Sequence, residues 1–278
     1  MKIAIIGLGL IGGSIGLALK TEYRIGIPRR EETLRQALAM GAINEGTLDL
    51  QKGVATADVV FICTPINLIL LTLQKIRGTL KKGAIVTDVG STKEELVSQA
   101  EKIMPKGTFF VGGHPMAGKE ISKLDAAEAS LFSSKAWILT ETPKTNPAAL
   151  ATVANLVGLL GGKVVKMNSK THDFVVAGIS QMPLAVAAAL VNAVAGEKEK
   201  DLMAACAASG FRDTTRVASG DPQLGVDMFK TNKKAVLKMI GDFKKSIARL
   251  EKLIKVGNSE AIKKELERAK SFRDAVFK

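Results

Sequence analysis

Three glycines decide most of what this chain can fold into. Gly7-Leu8-Gly9-Leu10-Ile11-Gly12 follows the apolar run Lys2 to Ile6 directly and opens a helical stretch of small and apolar residues that reaches Leu19. Gly7 permits a tight strand-to-helix turn, Gly9 lets the backbone approach a pyrophosphate, and Gly12 allows close packing of helix on strand. The free N–H groups and the dipole of the helix N-terminus favour the anion's charge. A merely flexible turn would need neither this spacing nor its strand–helix context, so the run predicts a dinucleotide site at Gly7, Leu8, Gly9, Leu10, Ile11 and Gly12.

Dinucleotide folds that prefer NAD carry Asp or Glu at the tip of the second strand, about 20 residues after the glycines, to hold the ribose 2′-hydroxyl. Here that place reads Gly26-Ile27-Pro28-Arg29-Arg30. Two guanidinium groups and no carboxylate suit a 2′-phosphate dianion, so NADP is the expected cofactor, with Arg29 and Arg30 as its 2′-phosphate ligands. The alternative for Arg30 is a solvated loop cation. Thr64-Pro65 and Val89-Gly90-Ser91 follow two further apolar runs, placing Thr64, Pro65 and Ser91 at strand carboxyl ends, where open α/β sheets bind ligands.

The first half alternates β-rich runs with helical patterns, as a parallel sheet flanked by helices requires. Strands are expected at Lys2–Ile6, Tyr23–Ile27, Val59–Cys63, Ala84–Asp88, Phe109–Gly112, Ala136–Thr140 and Val164–Met167. After Asn168 the pattern is helical throughout. The expected fold class is therefore α/β, a doubly wound parallel sheet in residues 1–167 followed by an all-α domain in 168–278. In the long pattern Lys230 to Val256, Ile240, Phe243, Ile247, Leu250 and Ile254 recur in steps of three and four. Such a seam packs helix on helix, either as intrachain core or as a homodimer interface, and the homodimer is the favoured reading.

The net charge of +13 does not make this a nucleic-acid binder, because of where the charge lies. Residues 230–278 hold 15 Lys or Arg against 6 Asp or Glu, interleaved with an apolar helical period, which describes a solvated helix face. With one Trp and one Tyr, the aromatic platform of a single-strand binder is missing. No membrane role is expected either. The apolar stretch Met182 to Val194 is broken by Pro183 and Asn192, falls short of the ~20 residues that span a bilayer, and reads as a buried helix. The N-terminal apolar run is too short for a signal peptide, and Cys63 and Cys206 lack metal-ligand spacing, so a cytoplasmic protein without a metal is expected.

Only two histidines exist. His114 lies in Gly112-Gly-His-Pro-Met-Ala-Gly118, which reads as a glycine-framed loop after a strand, where flanking residues offer little to bury it and a general base can face the cleft. His172-Asp173 opens the first long helix of the second half, where the pair can serve function or simply cap a helix or hold a hinge. Ser209-Gly-Phe-Arg212-Asp213-Thr-Thr-Arg216 concentrates two arginines, an acid and hydroxyls, a cluster suited to a small anion or to a surface salt-bridge patch.

Taken in order, the opening glycines, Cys63-Thr64-Pro65, Thr87-Asp-Val-Gly-Ser-Thr-Lys93, the His114 loop, His172-Asp173 ahead of Ile179-Ser-Gln-Met-Pro183, and the arginine segment resemble the prephenate/arogenate dehydrogenases of tyrosine biosynthesis, most of all their compact NADP-linked cyanobacterial type. The resemblance covers essentially the whole length. It implies a Rossmann domain, a helical dimerisation domain and an active site in the cleft between them. It further implies oxidative decarboxylation of a cyclohexadienol, with His114 taking the proton of the ring 4-hydroxyl as hydride leaves for NADP. Ser91 would hydrogen-bond that hydroxyl or the histidine, Arg216 would bind a substrate carboxylate and Arg212 would support it.

There is one departure. Many members of that family read Ser-His-Leu-Pro-His where this chain has Ser180-Gln181-Met182-Pro183-Leu184. Gln181 can hydrogen-bond a carboxylate but carries no charge, which removes a partner for the pyruvyl group of prephenate. Asp213 offers a counter-charge to the ammonium that arogenate has and prephenate lacks. Arogenate is the expected substrate, with prephenate or dual use as the alternative. The length leaves no room for a fused regulatory or mutase domain, so any inhibition by tyrosine is expected at the active site. Other two-domain reductases usually use a lysine in the helical domain, and neither Lys170 nor Lys233 has a persuasive setting. A non-catalytic NADP sensor would not need Ser91, His114 and Arg216 together.

Overall fold

Each apolar run of the first half forms a strand in the computed structural model, which describes residues 1–119 and 123–277. In chain order β1 (Lys2–Ile6) leads to α1 (Leu10–Ala18), β2 (Tyr23–Ile27) to α2 (Glu31–Ala39), and the two-residue β3 (Glu45–Gly46) to α3 (Leu50–Val54). Then come β4 (Val59–Ile62), α4 (Ile66–Ile76), β5 (Ile85–Asp88), α5 (Glu94–Ile103), β6 (Phe109–Pro115), β7 (Ala136–Thr140), α6 (Pro147–Leu159) and β8 (Lys163–Met167). The eight strands lie in the order β3-β2-β1-β4-β5-β6-β7-β8. All neighbours pair in parallel except β6 with β7, which run antiparallel.

Alternation along the central strands builds two cores. Ile3 and Ile5 of β1 and Val59 and Phe61 of β4 face one side, where Ile15 of α1, Leu34 of α2 and Val153 of α6 cover them. Ala4, Ile6, Val60 and Ile62 face the other, against Val54 of α3, Ile69 and Leu73 of α4 and Val97 of α5. A strand buried on both faces needs the continuous apolar run seen in these segments, and each fully buried Ile, Leu or Phe contributes ~1.5–3 kcal/mol. The register also aligns the carboxyl edge: Ile6 pairs with Ile62 and Ile62 with Asp88. The loops that follow β1, β4 and β5 therefore leave the sheet side by side.

Beyond Asn168 the chain is helical. α7 (Ser169–Val176) runs through a π-helical turn at Ala177–Gln181 into α8 (Met182–Ala195). The widened turn falls just ahead of Pro183, which has no N–H for the regular ladder. α9 (Lys200–Ala205), α10 (Ser209–Thr215), a 3₁₀ turn at Arg216–Ser219 and α11 (Pro222–Thr231) follow. By length and composition Ser169–Ala195, whose most apolar 18-residue window has mean hydropathy 2.0, is apolar enough to cross a membrane. The buried helix expected at Met182–Val194 is not found: only Ala187 of α8 is buried within the chain.

The chain packs as two compact units, Met1–Asn232 and Lys233–Lys278. The second unit is a pair of helices, α12 (Lys233–Lys255) and α13 (Ser259–Val276). Gly257 turns the chain between them at φ +65° and the Asn258 side chain caps α13 by accepting from Ala261 N–H. Arg249 of α12 pairs with Glu265 of α13 at 3.1 Å. On α12 the expected seam splits: Ile240, Phe243 and Leu250 are half-buried, whereas Ile247 and Ile254 are exposed.

Candidate active site

The opening turn has the form its glycines require. Gly7 sits at φ +89°, and a Cβ there would lie 2.8 Å from the Cys63 carbonyl oxygen. A Cβ on Gly12 would lie 2.0 Å from the Gly7 carbonyl oxygen, so the helix can reach the strand only without one. Gly9 starts α1 with no side-chain cap, leaving the first N–H groups for a ligand. Leu8 and Leu10 are buried and anchor the turn, while Gly7, Gly9 and Ile11 stay half-exposed.

Strand order reverses between β1 and β4, the position at which open sheets leave a crevice. Thr64 and Pro65 follow β4 there, and the buried Thr64 Oγ1 has no hydrogen-bond partner among the described residues. Arg29 and Arg30 follow β2 after Pro28, both exposed, with Arg30 as the residue before α2. A glycine cradle, open N–H donors, a hydroxyl unbonded among the described residues and two exposed cations fit a phosphorylated dinucleotide.

Beside this crevice stands a buried polar network. His114 is not in a loop: β6 continues through it to Pro115, and it pairs with Ile138 of the antiparallel β7. The glycines at 112 and 113 do not frame a turn but let the strand pass closely, since a Cβ on Gly113 would lie 2.6 Å from the Asp88 carbonyl oxygen. The Nδ1 atom of half-buried His114 lies 2.8 Å from Nε2 of His172, in the first turn of α7. His172 is fully buried, and its Nδ1 lies 2.7 Å from Oδ1 of Asp173.

Asp173 also closes the amino end of α5. Its Oδ1 accepts from Lys93 N–H at 2.7 Å and its Oδ2 from Glu94 N–H at 2.9 Å. The Lys93 ammonium pairs with Asp88, both side chains being wholly buried. Asp88 in turn accepts from Gly90 N–H at 2.7 Å and Gly113 N–H at 3.1 Å, so one carboxylate holds both the loop carrying Ser91 and the residue before His114. Asn232, capping the end of α11, donates from Nδ2 to the Asp173 carbonyl oxygen and to Gln181 Oε1, each at 2.7 Å. The Thr92 hydroxyl meets that of Thr231 at 2.9 Å.

Burial sets the charge states. It pushes the His114 pKa well below the ordinary imidazole value, helped by the neighbouring His172 and Lys93. His172 is lowered too, chiefly by burial, with Asp173 opposing. Lys93 is lowered by burial against the pull of Asp88 and Asp173. A neutral imidazole near neutral pH is what proton abstraction needs.

The expected residues are only partly brought together. Ser91, half-buried, lies in the Asp88-to-Lys93 loop, and buried Gln181 joins the network through Asn232, with its Nε2 left without a partner among the described residues. Arg212 and Asp213 pair with each other at 3.1 Å on an exposed face of α10, and Arg216 is exposed in the following turn. Asp173, expected with His172 to serve function, cap a helix or hold a hinge, caps α5. Asp88, Lys93 and Asn232 carried no expected role; Asp88 and Lys93 lie inside the motif strings that carried the resemblance, so a signal was present, whereas Asn232 had none.

Comparison with known proteins bears on this arrangement. Residues 15–166 match the family described as the prephenate dehydrogenase nucleotide-binding domain, and residues 168–268 match the prephenate dehydrogenase dimerization domain. The prephenate dehydrogenase of Bacillus subtilis is 35% identical over 280 residues, covering 99% of this chain and 76% of that protein. Among solved structures, Synechocystis arogenate dehydrogenase is 38% identical with a TM-score of 0.88, covering 99% of this chain and 100% of that one. The prephenate dehydrogenase of A. aeolicus, in complex with hydroxyphenyl propionate and NAD+, is 33% identical with a TM-score of 0.92, covering 99% and 98%.

Proposed function

This chain belongs to the prephenate dehydrogenase family, and on that premise we propose that it is an NADP-linked arogenate dehydrogenase, forming tyrosine by oxidative decarboxylation. The observation that carries the reading is the placement of His114, held neutral at the carboxyl end of β6 beside the crevice where β1 and β4 diverge. The residues that would hold the cofactor are Gly7 to Gly12, Thr64, Pro65 and Ser91, with Arg29 and Arg30 on the 2′-phosphate. When bound, the nicotinamide accepts the two electrons and hydrogen that leave ring carbon 4.

His114 takes the proton of the ring 4-hydroxyl at Nε2, and Ser91 orients that hydroxyl. The bond from ring carbon 1 to its carboxylate then breaks, carbon dioxide leaves, and the bonding pair completes the aromatic ring. The phenolate oxygen recovers its proton from His114, so the base ends the cycle as it began. Arg216 holds a substrate carboxylate by charge-assisted hydrogen bonds, with Arg212 as a second cation and Asp213 facing the ammonium. Gln181 offers its unbonded Nε2 where relatives of the family often carry an imidazolium-forming histidine, which favours arogenate over the pyruvyl group of prephenate.

Residues 1–167 serve as the nucleotide-binding domain and 168–278 as the helical one. The uncovered apolar surface of α8, together with Leu202 and Met203 of α9 at 69% and 42% exposure, is best covered by a second copy of the chain rather than by lipid. His172 and Asp173 tie the same long helix to α5 and β6, which a bilayer-spanning helix would not do. We place the enzyme in the cytoplasm.

The deciding experiment follows the absorbance of NADPH or NADH when the pure protein meets arogenate or prephenate, each with NADP or NAD. Turnover concentrated in the arogenate–NADP mixture supports the whole reading. Preference for prephenate overturns the roles of Gln181 and Asp213, preference for NAD overturns those of Arg29 and Arg30, and no turnover in any mixture rejects the assignment.

A further inference from the structure

We propose that His172, anchored by Asp173, is a positioning residue that fixes His114 in the one tautomer able to act as a base. The argument needs only hydrogen counting. An ionised carboxylate accepts and cannot donate, and Asp173 Oδ1 already accepts from the Lys93 N–H. The Nδ1 atom of His172, 2.7 Å from that oxygen, therefore carries a hydrogen. A neutral imidazole has only one, so Nε2 of His172 is a bare acceptor. Nδ1 of His114 lies 2.8 Å from it, a separation at which two lone pairs repel, so this atom carries the hydrogen of His114. The remaining nitrogen, Nε2 of His114, is left bare and basic.

His172 acts through His114 and not on the substrate, because it is fully buried. The charged groups around it are Lys93 at the start of α5, Asp88 at the end of β5 and Asp173 on its own helix, with His114 facing it from β6. Burial and the Lys93 ammonium hold the pair neutral, while Asp173 keeps the hydrogen of His172 on Nδ1. A carboxylate that orients one imidazole and stabilises its charged form is a familiar device, and here a second imidazole is interposed between carboxylate and base. As Nε2 of His114 gains the substrate proton, the resulting imidazolium donates more strongly from Nδ1 to His172, which spreads the charge toward Asp173.

This inference deepens the proposed catalytic reading of His114, and its first test needs no substrate. The chain has two histidines, so ¹⁵N-histidine labelling gives two imidazoles and no background. Nitrogen shifts of the intact protein near pH 7.5 are expected to report hydrogen on Nδ1 of both rings. An Nε2–H tautomer at either ring overturns the proposal, whatever the substrate proves to be. The second test compares His172→Leu, which removes the acceptor, with His172→Gln, whose amide oxygen can still accept from His114. His172→Leu should lower kcat at least about 100-fold with KM for NADP changed less than about threefold, and His172→Gln should recover at least about a tenth of the lost rate. Equal loss in both variants, or a loss carried by KM, assigns His172 a merely structural role. If neither variant folds, the labelling experiment on the wild-type protein decides alone.

Discussion

His114 and His172, 58 residues apart, meet with Nδ1 and Nε2 at 2.8 Å, and through that contact the end of β6 is bonded to the first turn of α7. Strand and helix carry their histidines to a common place because Asp173 caps α5 while Asp88 grips both Gly90 and Gly113.

The pH profile should show the effect of burial. His114 is held well below its ordinary value near 6.5, so its base form persists below that pH. The acid limb of kcat/KM is expected under pH 6.5, and a limb at or above 6.5 would contradict the assignment. Stability has the same sign. Between the lowered native values of His114 and His172 and the unfolded value, the unfolded chain binds more protons, so stability should fall as pH drops through about 6.5 and level off below the native values. Urea unfolding at pH 7.5 and 5.5 checks this.

His114→Asn keeps a polar side chain of similar reach but removes the base. Turnover should fall at least about 100-fold while NADP still binds, as calorimetry can measure. Turnover close to wild type would show that the proton goes elsewhere.

Lys93→Met should cost about 3–5 kcal/mol in folding stability, because Asp88 would remain as a buried carboxylate without its cation. Adding Asp88→Asn to that variant should restore part of the loss. Thermal unfolding of the single and double variants reads this directly, and a single variant as stable as wild type would mean the pair contributes nothing net.

Arg29→Ala should weaken NADP at least about tenfold more than NAD, since only NADP has the 2′-phosphate that a guanidinium recognises. Equal weakening of the two cofactors, measured by fluorescence titration, would remove Arg29 from that role.

Much of the fold was legible because its signals are local. β1, β2 and β7 fall at their expected bounds, since continuous apolar runs need no distant partner to be recognised. The two-residue β3 and five-residue α3 carry too little periodicity to stand out. The strand around His114 was misread for a physical reason. Gly112 and Gly113 signal a turn in isolation, whereas here they are small so that β6 can pass Thr140 and the backbone of Asp88.

By itself the sequence determined the alternating sheet, the glycine turn at residues 7–12 and the arginine pair that follows β2, because period, spacing and residue type act within a few turns of chain. Tertiary structure alone decided which side chains meet. Asp173 reaches Lys93 across 80 residues, Asn232 reaches Gln181 across 51 and His172 reaches His114 across 58. Such contacts depend on how strands and helices are placed in space, and no local window of sequence encodes that placement. The same holds for α8, whose composition calls for burial that the rest of its own chain does not provide.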